Sequence, residues 1–436
     1  MKHLTTFLIV LAFMLMALFP AGYVLFPDGL QNIGFYALGR AAALTALALL
    51  ALQFVLPVRS PLLDRLFGLQ RLLFAHRCLG LAAVVLALSH PLFLVLSESY
   101  DVSLLTGTEW PVFIMAGKVL LLLLAVHVIY AVAHGIRRRH YRTWRLLHGL
   151  VAPVILIMAV SHGWSTGGHL TRPIMQVYIG VLVLLVLWSL VYKLLVSRGW
   201  LFSRNYVVEN SRKENTDTTT LRFAPAAGTK PMSSMAGQYA FVAFPKAGKP
   251  GKESHPYTIA SSPEDLPAIS AKAIGHFSSA LRDIAPGAPA RIHGPFGRFC
   301  HVLYPRDKKL VFIAGGIGIT PFISMLRHMR DSNDSREVLL LYSCRRVRDF
   351  LFTTELQAMA DKQTPALRTV RVLSHEQAEG YVSGRIDGAL IRRYCTDMSA
   401  FRFFICGPQG MIVAIARQLK HVGVPGRQIH YELFRL

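Results

Sequence analysis

Six apolar stretches, at 4–26, 33–56, 73–97, 111–134, 147–164 and 173–196, occupy the first 200 residues of this 436-residue chain. As helices rising about 1.5 Å per residue, each crosses or nearly crosses a hydrocarbon layer roughly 30 Å thick. Inside such a layer the backbone must satisfy its own N–H and C=O groups, so runs of this length imply a helical bundle. The first stretch is too long for a cleaved leader, and no small-x-small cleavage pattern precedes the second, so it counts as a helix. Hydrophobic residues make up 53% of the chain and charged residues 16%, which excludes a wholly soluble protein. Residues 201–436 read as ordinary globular sequence. The expected organisation is therefore a transmembrane domain over 1–200 followed by soluble domains over 201–305 and 306–436.

The net charge of +23 does not mark a nucleic-acid binder, because the basic residues are dispersed or flank apolar runs. Connections 57–72 and 135–146 hold Arg59, Arg65, Arg71, Arg137, Arg138, Arg139, Arg142 and Arg145, whereas the opposite connections hold only Arg172. The positive-inside rule then puts both termini and the globular half in the cytoplasm, on the cell (inner) membrane. Cys78, Cys300, Cys344, Cys395 and Cys406 are too scattered for a disulfide framework and suit a reducing compartment.

Ionisable residues inside spans are costly and point to function. The third span carries His76 and His90, and the fifth carries His148 and His162, each pair 14 residues apart. Fourteen steps fall roughly 40° short of four turns, so each pair shares a helix face. Along the axis the two histidines stand about 21 Å apart. Both spans run in the same direction, so His76 lies level with His148 and His90 with His162. Two imidazoles opposed at each depth suit the axial ligation of two haem irons, one near each surface. The alternative is four separate histidines hydrogen-bonded within the bundle. Gly80 leaves room for a flat macrocycle or packs a neighbouring helix. His127 and His134 share a face of span four without a partner helix of matching spacing, which favours polar packing. Arg40 is placed to neutralise a haem propionate or to snorkel outward. Lys118 and Arg172 are the other outer-side cations.

In the globular half, 201–303 shows short strand-like runs separated by turn residues, as in a small β-barrel. Residues 306–436 alternate strands and helices, as in a parallel sheet with crossover helices. The loop AGGIGITP, Ala314 to Pro321, follows a strand and opens a helix. Gly315, Gly316 and Gly318 permit close backbone approach to a pyrophosphate, and Thr320 and Pro321 start the helix facing it. After the next strand, Arg345 and Arg346 stand where an NAD site usually has an acid. They suit the 2′-phosphate of NADPH, or are solvated surface arginines. CGPQG, beginning Cys406, Gly407, Pro408, ends a further strand and suits a flat ring at the sheet crevice. Alone, Cys406 reads as a small buried residue. In the barrel region, HPYT (His255, Pro256, Tyr257, Thr258) reads as a flavin-binding strand. KAIGHFSSAL, with Lys272, Gly275, Ser278 and Ser279, reads as a helix start aimed at a flavin diphosphate.

Taken together, these residues resemble the ferric reductase and NADPH oxidase superfamily along nearly the whole chain. The resemblance implies a multi-domain membrane protein: a six-helix transmembrane bundle, then an FAD-binding β-barrel and an α/β NADPH-binding domain. It implies two b-type haems on His76, His90, His148 and His162, with Tyr257 packed on the flavin and Thr258 near its reactive nitrogen. Cys406 would lie beside the nicotinamide, and Phe434 would be the C-terminal aromatic over the flavin. No calcium loop of the D-x-[DN]-x-[DN]-G type is present in the sequence, and the compact form resembles bacterial members. Electrons from cytoplasmic NADPH would pass through FAD and both haems to an outer acceptor. Oxygen, giving superoxide, ranks first, a ferric chelate second, and a periplasmic redox protein third. A transporter with a fused nucleotide sensor, or a scaffold that binds nucleotide without turnover, is the rival from another class.

Overall fold

The computed structural model describes residues 2–26, 34–97, 99–137, 141–166, 168–197, 203–245, 253–395 and 397–433. It divides into two compact units, Met1–Ser197 and Arg198–Leu436.

The first unit is helical. Its helices are α1 (Lys2–Leu25), α2 (Phe35–Leu52), α3 (Pro61–Phe67), α4 (Leu69–Leu96), α5 (Ser103–Thr106), α6 (Val112–Arg137), α7 (Tyr141–Ser165) and α8 (Pro173–Ser197). Six of them, α1, α2, α4, α6, α7 and α8, are long and apolar enough to span a membrane. Helix α2 ends at Leu52, four residues before the expected boundary, and turns lead to Pro57, which has no N–H to continue a helix. Helix α4 begins four residues earlier than expected. The buried Asp64, on the short α3, accepts a 2.8 Å hydrogen bond from the Leu69 N–H and satisfies one donor of the α4 first turn. The α4 and α7 helices pack on α2 and α6 more than on one another.

The second unit opens with a nearly closed, six-stranded antiparallel barrel. Its strands are β1 (Ser203–Lys213), β2 (Thr218–Pro225), β3 (Tyr239–Ala243), β4 (His255–Thr258), β5 (Ala268–Lys272) and β6 (Pro289–Phe296), in the order β4-β3-β6-β1-β2-β5. A short helix, α9 (His276–Ala280), lies between β5 and β6. Period-two burial along β1 and β2 sends Tyr206, Val208, Leu221 and Phe223 inward against Val242, Phe244 and Ile292. Truncating one of these aromatics to alanine costs about 3–5 kcal/mol.

An α/β layer follows. It comprises β7 (Lys309–Gly315), α10 (Thr320–Asp331), β8 (Glu337–Cys344), α11 (Thr353–Lys362), β9 (Ala366–Leu373), β10 (Val382–Ser383), α12 (Gly388–Tyr394), β11 (Phe401–Cys406), α13 (Gln409–His421) and β12 (Ile429–Glu432). All pairings are parallel, in the order β10-β9-β8-β7-β11-β12. The apolar run of β7 is buried on both faces, as a central parallel strand requires. From β7 the chain winds outward through β10, then returns to the other side of β7 with β11. The order reverses between β7 and β11, and ligands of such sheets bind at the carboxyl ends of the strands flanking that reversal.

Barrel and α/β layer are tied together through α10. The Ser324 hydroxyl donates to the Ser261 carbonyl at 2.8 Å. Arg327 donates to the Ala260 carbonyl at 2.8 Å and forks onto Glu355 at 2.8 and 2.7 Å. The helix behind the glycine loop is thereby fixed to the segment that follows β4.

Between barrel and sheet lies His301, fully buried, with neither ring nitrogen hydrogen-bonded. Burial lowers its pKa from 6.5 to about 3. Arg336 and His328 act in the same direction, and Asp334 opposes them. Unfolded chains bind a proton below about pH 6.5 that the folded state refuses, so this residue removes stability as pH falls from there toward 3. His301→Leu is expected to flatten that part of the stability–pH curve of the second unit, read as melting temperature against pH with flavin fluorescence. An unchanged slope would contradict it.

Candidate functional site

In the membrane unit the structure brings together the histidines paired by depth. The His76 and His148 rings have centroids 6.1 Å apart with planes at 76°. Two imidazoles sharing one metal through bonds of about 2 Å each, with the ring half-widths added, have centroids about 6 Å apart. His148 Nδ1 is buried with no hydrogen-bond partner. At the other level, His90 and His162 lie close enough to act on one another electrostatically. His90 Nδ1 lies 2.9 Å from the Gly39 carbonyl oxygen and His162 Nδ1 lies 2.8 Å from that of Phe113. A carbonyl only accepts, so Nδ1 carries the proton in both rings and Nε2 keeps its lone pair for a metal. The inner pair fits a bis-imidazole haem site by its spacing, and the outer rings match a second by their tautomer.

Two supporting glycines, Gly117 and Gly39, were not evident from sequence. A Cβ on Gly117 of α6 would meet the His162 ring at 2.5–3.0 Å, so this glycine makes room for that ring. Gly39 packs against the His90 carbonyl and Phe93 on α4. Gly80 faces the side chain of Gln53, so it serves helix packing. His127 does not stand apart: its ring stacks on His148 with centroids 4.6 Å apart. Arg40 lies over the Tyr36 ring, 5.5 Å from its centroid, and its guanidinium occupies the space a side chain on Gly168 would need. Lys118 is engaged by the carbonyls of Gly107 and Ser103.

In the second unit, β4 presents HPYT. The Thr258 hydroxyl is buried with no hydrogen-bond partner, an orphan that a ligand atom would satisfy. His255 and Tyr257 alternate along the strand and share Phe277, with ring centroids 4.0 and 6.4 Å away. Burial raises the Tyr257 phenol pKa above its usual range and keeps it protonated. Pro256 pairs with Phe241 in the sheet. Lys272 ends β5 with an ion pair to Asp217 at 3.2 Å, and β5 packs against the Gly316–Ile319 turn. Ser278 caps the start of α9, as expected from the sequence. Its hydroxyl accepts from the Ile274 and Gly275 N–H groups and donates to the Gly275 carbonyl, so it braces the start of α9 from inside that helix.

At the β7–β11 reversal the glycines divide their work. Gly316 has φ +55° and open space where a Cβ would be, so it exposes backbone to a ligand. A Cβ on Gly315 would strike Pro408 and Met411, and one on Gly318 would strike the Cys406 carbonyl. Those two glycines, with Gly407, let the glycine turn and the CGP turn touch. Thr320 donates to the Ile317 carbonyl at 3.1 Å, and Pro321 occupies the first turn of α10. Cys406 is fully buried in the sheet core, and burial holds its thiol well above the usual range, so it is no thiolate. Arg345 and Arg346 follow β8 and are exposed. Their turn is anchored by Asp349, which accepts from the Arg346 N–H at 3.1 Å, and by Glu376, which accepts from Val347 N–H at 2.8 Å. Phe434 lies outside the described residues.

Gly318→Ala is expected to destabilise the second unit by about 3 kcal/mol, because the obstructing atom is backbone and cannot rotate away. The check is a lower melting temperature by flavin fluorescence. A melting temperature equal to wild type would show that the turn relaxes freely.

Residues 42–159 match the ferric reductase like transmembrane component, and residues 312–417 match the oxidoreductase NAD-binding domain. The first match includes His76, His90 and His148; the second includes the glycine loop, Arg345, Arg346 and Cys406. A flavohemoprotein of Xylella fastidiosa is 25% identical over 251 residues, covering 54% of this chain and 60% of that protein. The glycine betaine monooxygenase reductase subunit of Pseudomonas aeruginosa is 30% identical over 206 residues, 45% of this chain and 55% of that one. The chain thus spans about 60% of the length of the curated relatives it matches first. The flavohemoglobin of Malassezia yamatoensis, solved with bound FAD and heme, aligns with a TM-score of 0.51 and 19% identity over 92% of this chain and 97% of that one; this likeness concerns the fold.

Proposed function

From a chain that joins a ferric reductase-like transmembrane component to an FAD- and NAD-binding oxidoreductase domain, we propose a transmembrane electron carrier fed by cytoplasmic NADPH. Its electrons pass through FAD and two b-type haems to an acceptor outside the cell membrane, with oxygen, giving superoxide, as the leading acceptor. The observation that carries the reading is the inner pair, His76 and His148, at the centroid spacing a shared metal requires. A flavin accepts the two electrons of a hydride together and releases them singly, as a haem requires. The chain's own part is placement. Gly316 opens the backbone to a pyrophosphate, Thr258 offers its unpaired hydroxyl to the flavin edge, and Tyr257 remains protonated beside it. Arg345 and Arg346 bind the 2′-phosphate. His90 and His162, their Nδ1 protons committed to carbonyls, present Nε2 to the outer iron. No acid–base side chain is needed for single-electron steps.

The positive-inside distribution supports a cytoplasmic dehydrogenase half. A ferric chelate is the second acceptor, favoured by the outer-side cation Arg172. The deciding experiment adds NADPH to flavin-loaded, detergent-purified protein without oxygen, records the visible spectrum, then admits air. Reduced b-type bands that vanish in air, with superoxide formed at the rate of NADPH use, are expected. Bands that persist in air and vanish with ferric chelate would move the assignment to metal reduction. Folded protein without haem bands would overturn the electron-carrier reading.

A further inference from the structure

The two histidine levels differ in what orients their rings. At the outer level, backbone carbonyls hold Nδ1 of His90 and His162. At the inner level, His148 Nδ1 has no hydrogen-bond partner, yet the ring is not loose. It stacks on His127 of α6 at 4.6 Å and 14°, and on Trp144, one turn earlier on α7, at 5.3 Å and 19°. Trp144 in turn stacks on His134 at 4.9 Å and 6°. Three near-parallel rings, His127, Trp144 and, through Trp144, His134, thus hold the His148 plane, and that plane lies at 76° to His76. A histidine's ring torsion is a broad well, so without a hydrogen bond the stacked neighbours decide its angle.

We propose that Trp144 and His127 are positioning residues that keep the two axial imidazoles of the inner haem nearly perpendicular. The proposal rests on the reading of His76 and His148 as ligands of one iron. Near-perpendicular axial planes leave two iron d orbitals almost degenerate, and parallel planes separate them. The arrangement therefore sets the electronic structure of the inner iron independently of its ligand identity. It also separates the two haems by character: a clamped, perpendicular inner site and a carbonyl-oriented outer one.

The test is low-temperature EPR of the ferric, full-length protein carrying His162→Leu, so that only the inner haem contributes. A strongly anisotropic low-spin signal with a large g-max is expected. Trp144→Ala and, independently, His127→Leu should remove that signal and leave a rhombic low-spin set with haem content unchanged, whereas Trp144→Phe should restore it. A rhombic signal in the His162→Leu protein, or a large-g-max signal that survives both Trp144→Ala and His127→Leu, would overturn the proposal while leaving the haem assignment intact. Absence of any haem from folded wild-type protein would instead overturn the ligand reading and the proposal with it.

Discussion

Haem content, measured as pyridine haemochrome, is expected to fall from two per chain to one when His162 is replaced by leucine. NADPH should still reduce the haem that remains, but transfer to any outer acceptor should drop to background. The reason is geometric. His162 sits with His90 about 21 Å along the helix axis from the His76 and His148 level, at 1.5 Å per residue over 14 residues. Removing the outer iron leaves an electron near one surface of the membrane with nothing to carry it to the other. His90→Leu should reproduce the result, because each iron needs both of its imidazoles. His134→Leu is the control: it lies beyond the ligand pairs, stacked on Trp144, and should leave two haems in place. If His162→Leu retained two haems and full acceptor reduction, the outer pair would be ordinary polar packing.

That prediction draws on what was legible in the sequence. The 14-residue spacing in two co-directional spans was enough to pair the histidines by depth, because helix geometry converts spacing directly into face and height. What fixes those rings was not legible. A carbonyl that orients an imidazole, such as that of Gly39 or Phe113, is present at every residue and leaves no mark in the sequence. Gly117 was visible as a glycine, but only the packing of α6 on α7 shows that its missing side chain is the space His162 needs. His127 lacked a partner at matching spacing on another span, which favoured simple polar packing. Its partner is instead His148, through a stacked contact that periodicity cannot express.

In the soluble half the order of strands and helices followed from pattern, since apolar runs alternated with amphipathic stretches. The strand order was beyond pattern: the return of the chain to the far side of β7 is a tertiary choice, and it is what sets AGGIGITP beside CGPQG. That adjacency also changes the meaning of two glycines. Gly315 and Gly318 are required by the neighbouring turn, and Gly316 alone is left open to a ligand. Ser278 was legible as a cap because a hydroxyl near a helix start can brace the backbone, and here it accepts from the Gly275 N–H.

On the proposed reading of Arg345 and Arg346, the turn after β8 sets the coenzyme preference, and there the charges compete. Arg345 and Arg346 are exposed at the carboxyl end of a strand that borders β7. Asp349 and Glu376 are spent on the N–H groups of Arg346 and Val347, which stiffens the turn but keeps two negative charges near it. A 2′-phosphate therefore gains from the guanidinium fork and loses something to the carboxylates. A charge-assisted hydrogen bond contributes about 1.5–3 kcal/mol. Losing two of them, each at the low end of that range because the guanidiniums are exposed, amounts to about 3 kcal/mol, which at 1.4 kcal/mol per factor of ten is roughly a hundredfold. The double variant Arg345→Ala/Arg346→Ala should accordingly raise KM for NADPH about a hundredfold and leave kcat nearly unchanged, because the adenosine phosphate is remote from the hydride. KM for NADH should change little or fall, since the ribose hydroxyl never used the fork. Added salt should weaken NADPH binding to wild-type protein more than to the variant, as screening acts on exposed charges. Equal changes in both KM values would mean that the arginines hold the turn or the pyrophosphate and do not read the 2′-phosphate.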